Sequence, residues 1–320
     1  MNAWRGGLWL VLLAASSGVR GQELFGEIRI WGSAQVADLA TLWEKGFARV
    51  HPGIRFENHL YGAVSAIAGL YTGVADLAIS REIWPTEALA FEQVIGYRPT
   101  WAEVATGSFD VPTKSDSLEV FVHKDNPLTQ LTLPQLDGIF GAQHASVRDI
   151  RTWGDLGLTG EWKDRPIHAY SFDVDNAGGR FLRDIAMKTS AMWNCDIKTF
   201  GNGKAAAGQR IVDALAGDRY GIAVSNVHYA RAEVKALALS AEDRGPFVAP
   251  ARTTIQDRSY PLARVVYAFL NRAPHHEVEP RLAEFLRYIL SEAGQRDIMS
   301  QGDYLPLPPR LAREQMRRIQ

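Results

Sequence analysis

The chain of 320 residues has one cysteine, Cys195, so it can form no intramolecular disulfide and no cysteine-built zinc or iron–sulfur site. Trp193-Asn194-Cys195-Asp196 carries no local signature of a thiol nucleophile, and the residue reads as a bland thiol. An excess of either charge is also lacking. The 35 Lys and Arg stand against 36 Asp and Glu, which removes the electrostatic footprint of a nucleic-acid binder. No apolar run reaches the ~20 residues of a membrane span, so no stable membrane insertion is expected. There is no internal repeat, no low-complexity tract and no Gly-x-Ser-x-Gly elbow for a hydrolytic serine. Gly201-Asn202-Gly203-Lys204 lacks the spacing and the following Ser or Thr of a P-loop, and reads as a turn before a helix over 205–216. His275-His276-Glu277 lies in a proline-bounded turn and reads as solvated rather than metal-binding. Neither a metal nor another cofactor is called for.

What is present begins with a targeting pattern. Arg5 precedes the short apolar run Leu8–Ala15, and Val19-Arg20-Gly21 offers small residues at the −3 and −1 positions before Gln22. That layout predicts a cleaved secretory signal peptide over 1–21 and an exported, periplasmic mature chain. No cysteine follows the run, so a lipid anchor is not expected. Apolar residues at 46% and charged residues at 22% are those of a folded protein, and the length suggests about two domains.

Short apolar runs then alternate with helical patterns. Glu27–Trp31 reads as a strand. Val36, Leu39, Trp43, Phe47 and Val50 recur at helical spacing until His51-Pro52-Gly53 stops them. Ile54–Glu57 and Ala75–Ile79 are further strands around a helix over 65–72. This βαβαβ order predicts a parallel sheet with right-handed crossovers, whose ligands sit beyond the carboxyl ends of the strands. Ser33, the loop Tyr61–Ser65, and Ser80-Arg81 fall at those three ends. Further on, strands are expected at 118–122, 220–224 and 264–270, a helix with Thr132 as N-cap and Gln135 three residues later, and a helix opening at Pro280. Ser240–Arg258 is the most linker-like stretch, and the basic tail 310–318 reads as a solvated helical end. The tryptophans are spread along the chain; most read as core, and one near a cleft would report lobe closure.

The order of these motifs resembles the phosphate-type substrate-binding proteins of ABC importers. The likeness rests on Gly32-Ser33 with the long helix ending at Pro52-Gly53, on Gly73–Glu82, on Val120–Leu128 with Leu131-Thr132-Leu133, and on Tyr260-Pro261-Leu262-Ala263-Arg264 running to Pro274. The chain's end, from Glu284 through Gly294-Gln295 to Leu307, also fits. The resemblance implies a two-lobed periplasmic binding protein fold of type II, each lobe a mixed, mainly parallel sheet flanked by helices, with a cleft between. Lobe 1 would comprise 22–116 and 241–320, and lobe 2 would comprise 117–240. The implied function is capture of an inorganic oxyanion, most simply phosphate, for delivery to the membrane subunits of an ABC importer. A monomer without catalytic activity is expected.

The resemblance also implies a site of neutral donors at helix N-termini, where unpaired N–H groups and the helix dipole favour an anion. Its members here would be Ser33, Ala34, Ser65, Ser80 and Arg81 from one lobe, and Asn176, Gly178, Gly179 and Arg180 from the other. An arginine at that point can hold an oxyanion with two parallel N–H bonds. Plainer roles stay open: N-capping for Ser33 and Ser65, a salt bridge for Arg81. The family usually carries Ser-Gly-Thr-Arg where this chain has Ala177-Gly178-Gly179-Arg180, so two hydroxyls are missing. Asp76, Asp173 and Asp175 are candidates for a carboxylate that would accept the proton of monohydrogen phosphate and repel sulfate. Two other classes remain beside the receptor: a sensor or scaffold that has lost anion binding, and an exported ester hydrolase.

Overall fold

The computed structural model describes residues 24–81, 83–111, 117–142, 148–187, 192–201 and 206–319; the expected signal segment and residues 202–205 of the glycine-rich turn lie outside them. The chain opens with β1 (Gly26–Gly32) and a 3-10 turn (Ala34–Val36) that runs into α1 (Ala37–Ala48). Then come β2 (Ile54–His59), α2 (Ala63–Tyr71), β3 (Leu77–Ser80), α3 (Pro85–Ile95) and β4 (Thr100–Thr106). A first crossover leads to β5 (Glu119–His123), β6 (Gln130–Thr132) and α4 (Leu133–Phe140). Next are β7 (His168–Phe172), α5 (Ala177–Ala186), β8 (Lys198–Phe200), α6 (Ala207–Ala216), β9 (Gly221–Ser225), β10 (Val234–Ala236) and β11 (Ala238–Ser240). A second crossover carrying α7 (Arg252–Gln256) returns to β12 (Val265–Leu270), α8 (Pro280–Leu290), α9 (Glu292–Gln301) and α10 (Pro309–Arg318).

Two five-stranded sheets result, ordered β2-β1-β3-β12-β4 and β10-β5-β9-β7-β8. In the first, β1 runs parallel to β2 and β3, and β12 is antiparallel to both β3 and β4. In the second, β7 runs parallel to β8 and β9, and β5 is antiparallel to β9 and β10. In each sheet the strand that runs against the others is the one entered by a crossover. This is the two-lobed, mixed, mainly parallel architecture expected from the sequence. Each sheet has its own core. Ile30, Trp43, Phe47, Leu77, Val266 and Phe285 build the first; Val120, Phe140, Trp153, Leu182, Ile211 and Val224 build the second. Ile255, Tyr260 and Leu262, which precede β12, pack with the second core.

Some local expectations need correction. The first helix ends at Ala48, and Val50 is 63% exposed instead of continuing the apolar face. Pro52 disfavours helical backbone at the residue before it, which leaves Val50 in the turn. The basic tail is not a fully solvated cap: Ala312 and Gln315 of α10 are buried, and Gln315 Oε1 accepts the Glu103 N–H of β4 at 3.1 Å. The linker-like stretch is partly structured, since α7 buries Ile255 within it. The capping box at Thr132 is as expected: Thr132 Oγ1 accepts from Gln135 N at 3.2 Å, and Gln135 Oε1 accepts from Thr132 N at 2.9 Å.

Candidate functional site

The strand ends of the first lobe are stitched together by backbone. Ser33 N–H donates to the Ile79 carbonyl at 3.1 Å, and Gly62 N–H to the Gly32 carbonyl at 3.0 Å. A Cβ at Gly32 would lie 2.0 Å from the Ile79 carbonyl oxygen, so only glycine lets β1 and the end of β3 approach this closely. These contacts draw Ser33, the Gly62 loop and Ser80 to one edge. Ser33 is buried and its Oγ accepts from Gln35 N–H at 3.3 Å, opening the 3-10 turn. Ala34 beside it is exposed. Ser65 stands in the first turn of α2 and donates its hydroxyl to the Gly62 carbonyl at 2.9 Å, so its proton is committed to its own helix. Ser80 is 1% exposed, and its hydroxyl has no hydrogen-bond partner among the described residues. Arg81 follows it, also buried.

The second lobe contributes the first turn of α5. Asn176 is its N-cap: Oδ1 accepts from Gly178 N–H at 2.8 Å, and the Asn176 carbonyl accepts from Arg180 N–H at 3.0 Å. Both Gly178 and Gly179 are buried. A Cβ at Gly179 would lie 2.4 Å from the Asp173 carbonyl oxygen, and one at Gly178 would lie 3.0 Å from the Phe172 ring. The glycine pair therefore follows from how tightly this turn packs on the end of β7. Arg180 donates from Nη2 to the Asp175 carbonyl at 3.0 Å and from Nε to the Val174 carbonyl at 3.4 Å. Its guanidinium lies 3.6 Å above the Trp84 ring. That contact sets the N-terminus of α5 against the loop that follows Ser80-Arg81.

The three candidate carboxylates separate clearly. Asp76 lies at the opposite end of β3 from Ser80 and is gripped by Arg29: Oδ1 accepts from Nη2 at 2.7 Å, and Oδ2 accepts from Nε and from the backbone N–H. Burial raises its pKa, but the Arg29 bonds outweigh it and hold the carboxyl below its ordinary range. Asp76 is thus a structural partner of Arg29 and not a cleft acceptor. The Asp175 side chain is 93% exposed. The Asp173 side chain packs on the residue that follows β8, with Oδ2 2.0 Å from where a Cβ of Gly201 would be.

Four groups escaped sequence reasoning. Ser171, near the end of β7, is fully buried with a hydroxyl that has no partner among the described residues. Trp84 stands out in the sequence only as one of the scattered tryptophans and Phe181 not at all, because what they touch lies far away in sequence. Glu119, where the first crossover enters β5, is fully buried. It accepts from Ser117 Oγ at 3.1 Å and from Val227 N–H at 2.7 Å, and burial against those bonds pushes its carboxyl up to about 8. Among the described residues no group of three or more His, Cys, Asp or Glu is placed to hold a metal ion, and no helix is long and apolar enough to cross a membrane.

Comparison with known proteins places this arrangement. The profile of the PBP superfamily domain matches residues 14–293. The phosphate-binding protein PstS of Pseudomonas aeruginosa is 33% identical over 298 residues, covering 92% of this chain and 87% of that protein. Among solved structures, PstS from Borrelia burgdorferi aligns with a TM-score of 0.62 at 16% identity, over 88% of this chain and 99% of that one. An ABC-type phosphate transport receptor from Vibrio cholerae aligns with a TM-score of 0.58 at 20% identity, over 88% of this chain and all of that one.

Proposed function

Because the chain belongs to the PBP superfamily and, within it, to the family of phosphate-binding proteins, we propose that it is an exported, non-catalytic receptor that captures inorganic phosphate between its lobes and delivers it to an ABC importer. One observation carries the site: the strand ends bearing Ser33 and the buried, unpartnered Ser80 hydroxyl lie at one edge, and the first turn of α5 is set against the loop that follows them. Ser33, Ala34, Ser80 and Arg81 bind from the first lobe, with Ser65 joining if its hydroxyl leaves the Gly62 carbonyl. The second lobe supplies the turn Asn176–Arg180. Asn176 has taken the Gly178 N–H, so Ala177 and Gly179 offer the backbone donors there, where the helix dipole favours an anion. Asp173 is the carboxylate that accepts the proton of monohydrogen phosphate and repels sulfate.

The chain works as a monomer in the periplasm after losing residues 1–21. Its lobes divide near 116 and 240; the two separate cores support a two-lobe division, although residues 255–262 pack on the second lobe. The missing hydroxyls at Ala177 and Gly179 favour one other reading, a two-lobed sensor or scaffold without an anion.

The test is a thermal-shift panel on ligand-stripped mature chain with phosphate, arsenate and sulfate. A ligand at 100 times its Kd adds about 2.7 kcal/mol of stability. Phosphate and arsenate should stabilise and sulfate should not, and Asp173→Asn should admit sulfate. A flat panel favours the scaffold reading.

A further inference from the structure

The first turn of α5 touches the first lobe's side of the molecule through two guanidinium–aromatic contacts. The Arg180 guanidinium carbon lies 3.6 Å from the centre of the Trp84 ring. On the next residue of the same helix, Phe181 presents its ring to Arg264, whose guanidinium carbon lies 5.0 Å from the ring centre. Trp84 precedes α3 at the end of the loop that follows β3, and Arg264 stands where the second crossover runs into β12. The cation thus belongs to the second lobe in one pair and to the first-lobe side in the other.

The bonds that the Arg180 guanidinium makes leave its flat face to the Trp84 ring. Arg180 donates edge-on to the carbonyls of Val174 and Asp175. Arg264 is anchored through its carbonyl, which accepts from Gly107 N–H at 2.7 Å, and the residue is 1% exposed. Stacking of a planar guanidinium on an aromatic face is strongest where water is excluded.

We propose that Trp84 and Phe181 are positioning residues: with Arg180 and Arg264 they form a reciprocal cation–π clasp that holds the N-terminus of α5 against the first lobe and so sets how tightly the cleft grips its anion. The proposal takes its ligand from the phosphate-receptor reading. The affinity of a two-lobed receptor is scaled by the fraction of molecules already in the binding-competent arrangement. The clasp raises that fraction through Trp84 and Phe181, neither of which is a ligand of the anion. It gives a turn that lacks two hydroxyls a second source of affinity.

The experiment compares Trp84→Leu, Trp84→Phe and Phe181→Leu with the unaltered chain, by small-angle scattering without ligand and by calorimetric titration with inorganic phosphate. The two leucine variants should open the ligand-free molecule and weaken phosphate by about tenfold each. Trp84→Phe keeps an aromatic face and should stay within about threefold of the unaltered chain. Leucine variants that scatter and bind like the unaltered chain would overturn the clasp, and so would a Trp84→Phe as weak as Trp84→Leu. If the unaltered chain takes up no phosphate while the leucine variants still open the ligand-free molecule, the clasp stands and the phosphate reading falls. Using Phe181→Leu, on the other pair, keeps the test decisive should one Trp84 variant fail to fold.

Discussion

A Cβ at Gly179 would meet the Asp173 carbonyl at 2.4 Å, so a threonine cannot simply be placed there. Gly179→Thr should cost about 2 kcal/mol through overpacking, read as a lower urea midpoint, and should not strengthen anion binding. Glu119 makes a second test at this scale. Its carboxyl is raised from 4.5 to about 8 in the fold. Below about pH 4.5 both folded and unfolded states hold the proton, and nothing is lost. As pH rises from there towards 8, the unfolded chain gives up its proton while the folded chain keeps it, so stability falls with pH. Glu119→Gln removes that loss. Its stability relative to the unaltered chain should rise steadily between about pH 4.5 and 8 and then level off, as followed by denaturation at stepped pH. A difference independent of pH would show that the buried carboxyl does not titrate as its burial implies. Ser33 and Ser80 were legible from sequence because they end strands of a parallel sheet. Trp84 and Phe181 were not: their partners, Arg180 and Arg264, lie in other parts of the chain, and no local period announces such a pair. Arg264 stood inside a recognisable motif, yet nothing in the motif assigned it a role.

Elements were more readable than contacts because periodicity is local. The alternation of short apolar runs with helical spacings gave β1, β2, β3, β5, β9 and β12 within a few residues. The misjudged parts are those that tertiary packing decides. The apolar spacing of α1 continues to Val50, but Pro52 ends the helix before that residue can face the core. α10 is too polar in sequence to suggest burial, yet Gln315 ties it to the backbone of β4. The start of α4 was fully legible, since a capping box is written in four residues. Thr132 is buried and also donates to Asp243 at 3.2 Å, across to the second crossover. Thr132→Ala should therefore cost about 1–2 kcal/mol, at the upper end for an N-cap, and a urea melt will measure it. No change in the melt would mean that water replaces the hydroxyl at both partners.

At the scale of the whole molecule, the two sheets are joined by two crossovers, and each crossover delivers the one strand that runs against its sheet. The proposed site would be split across that joint: hydroxyls and a buried arginine on one side, a helix N-terminus on the other. Sequence order alone implied this convergence, because in parallel α/β sheets ligands gather where helices begin. It could not show how this chain closes the gap left by its missing hydroxyls. Phosphate capture between the lobes is tested by a calorimetric titration of ligand-stripped mature chain with inorganic phosphate, repeated on one variant from each lobe, Ser80→Ala and Asp173→Asn. One phosphate should bind per chain, and either change should weaken it. Absence of binding in the unaltered chain, or binding that only one lobe's variant disturbs, would contradict capture between the lobes.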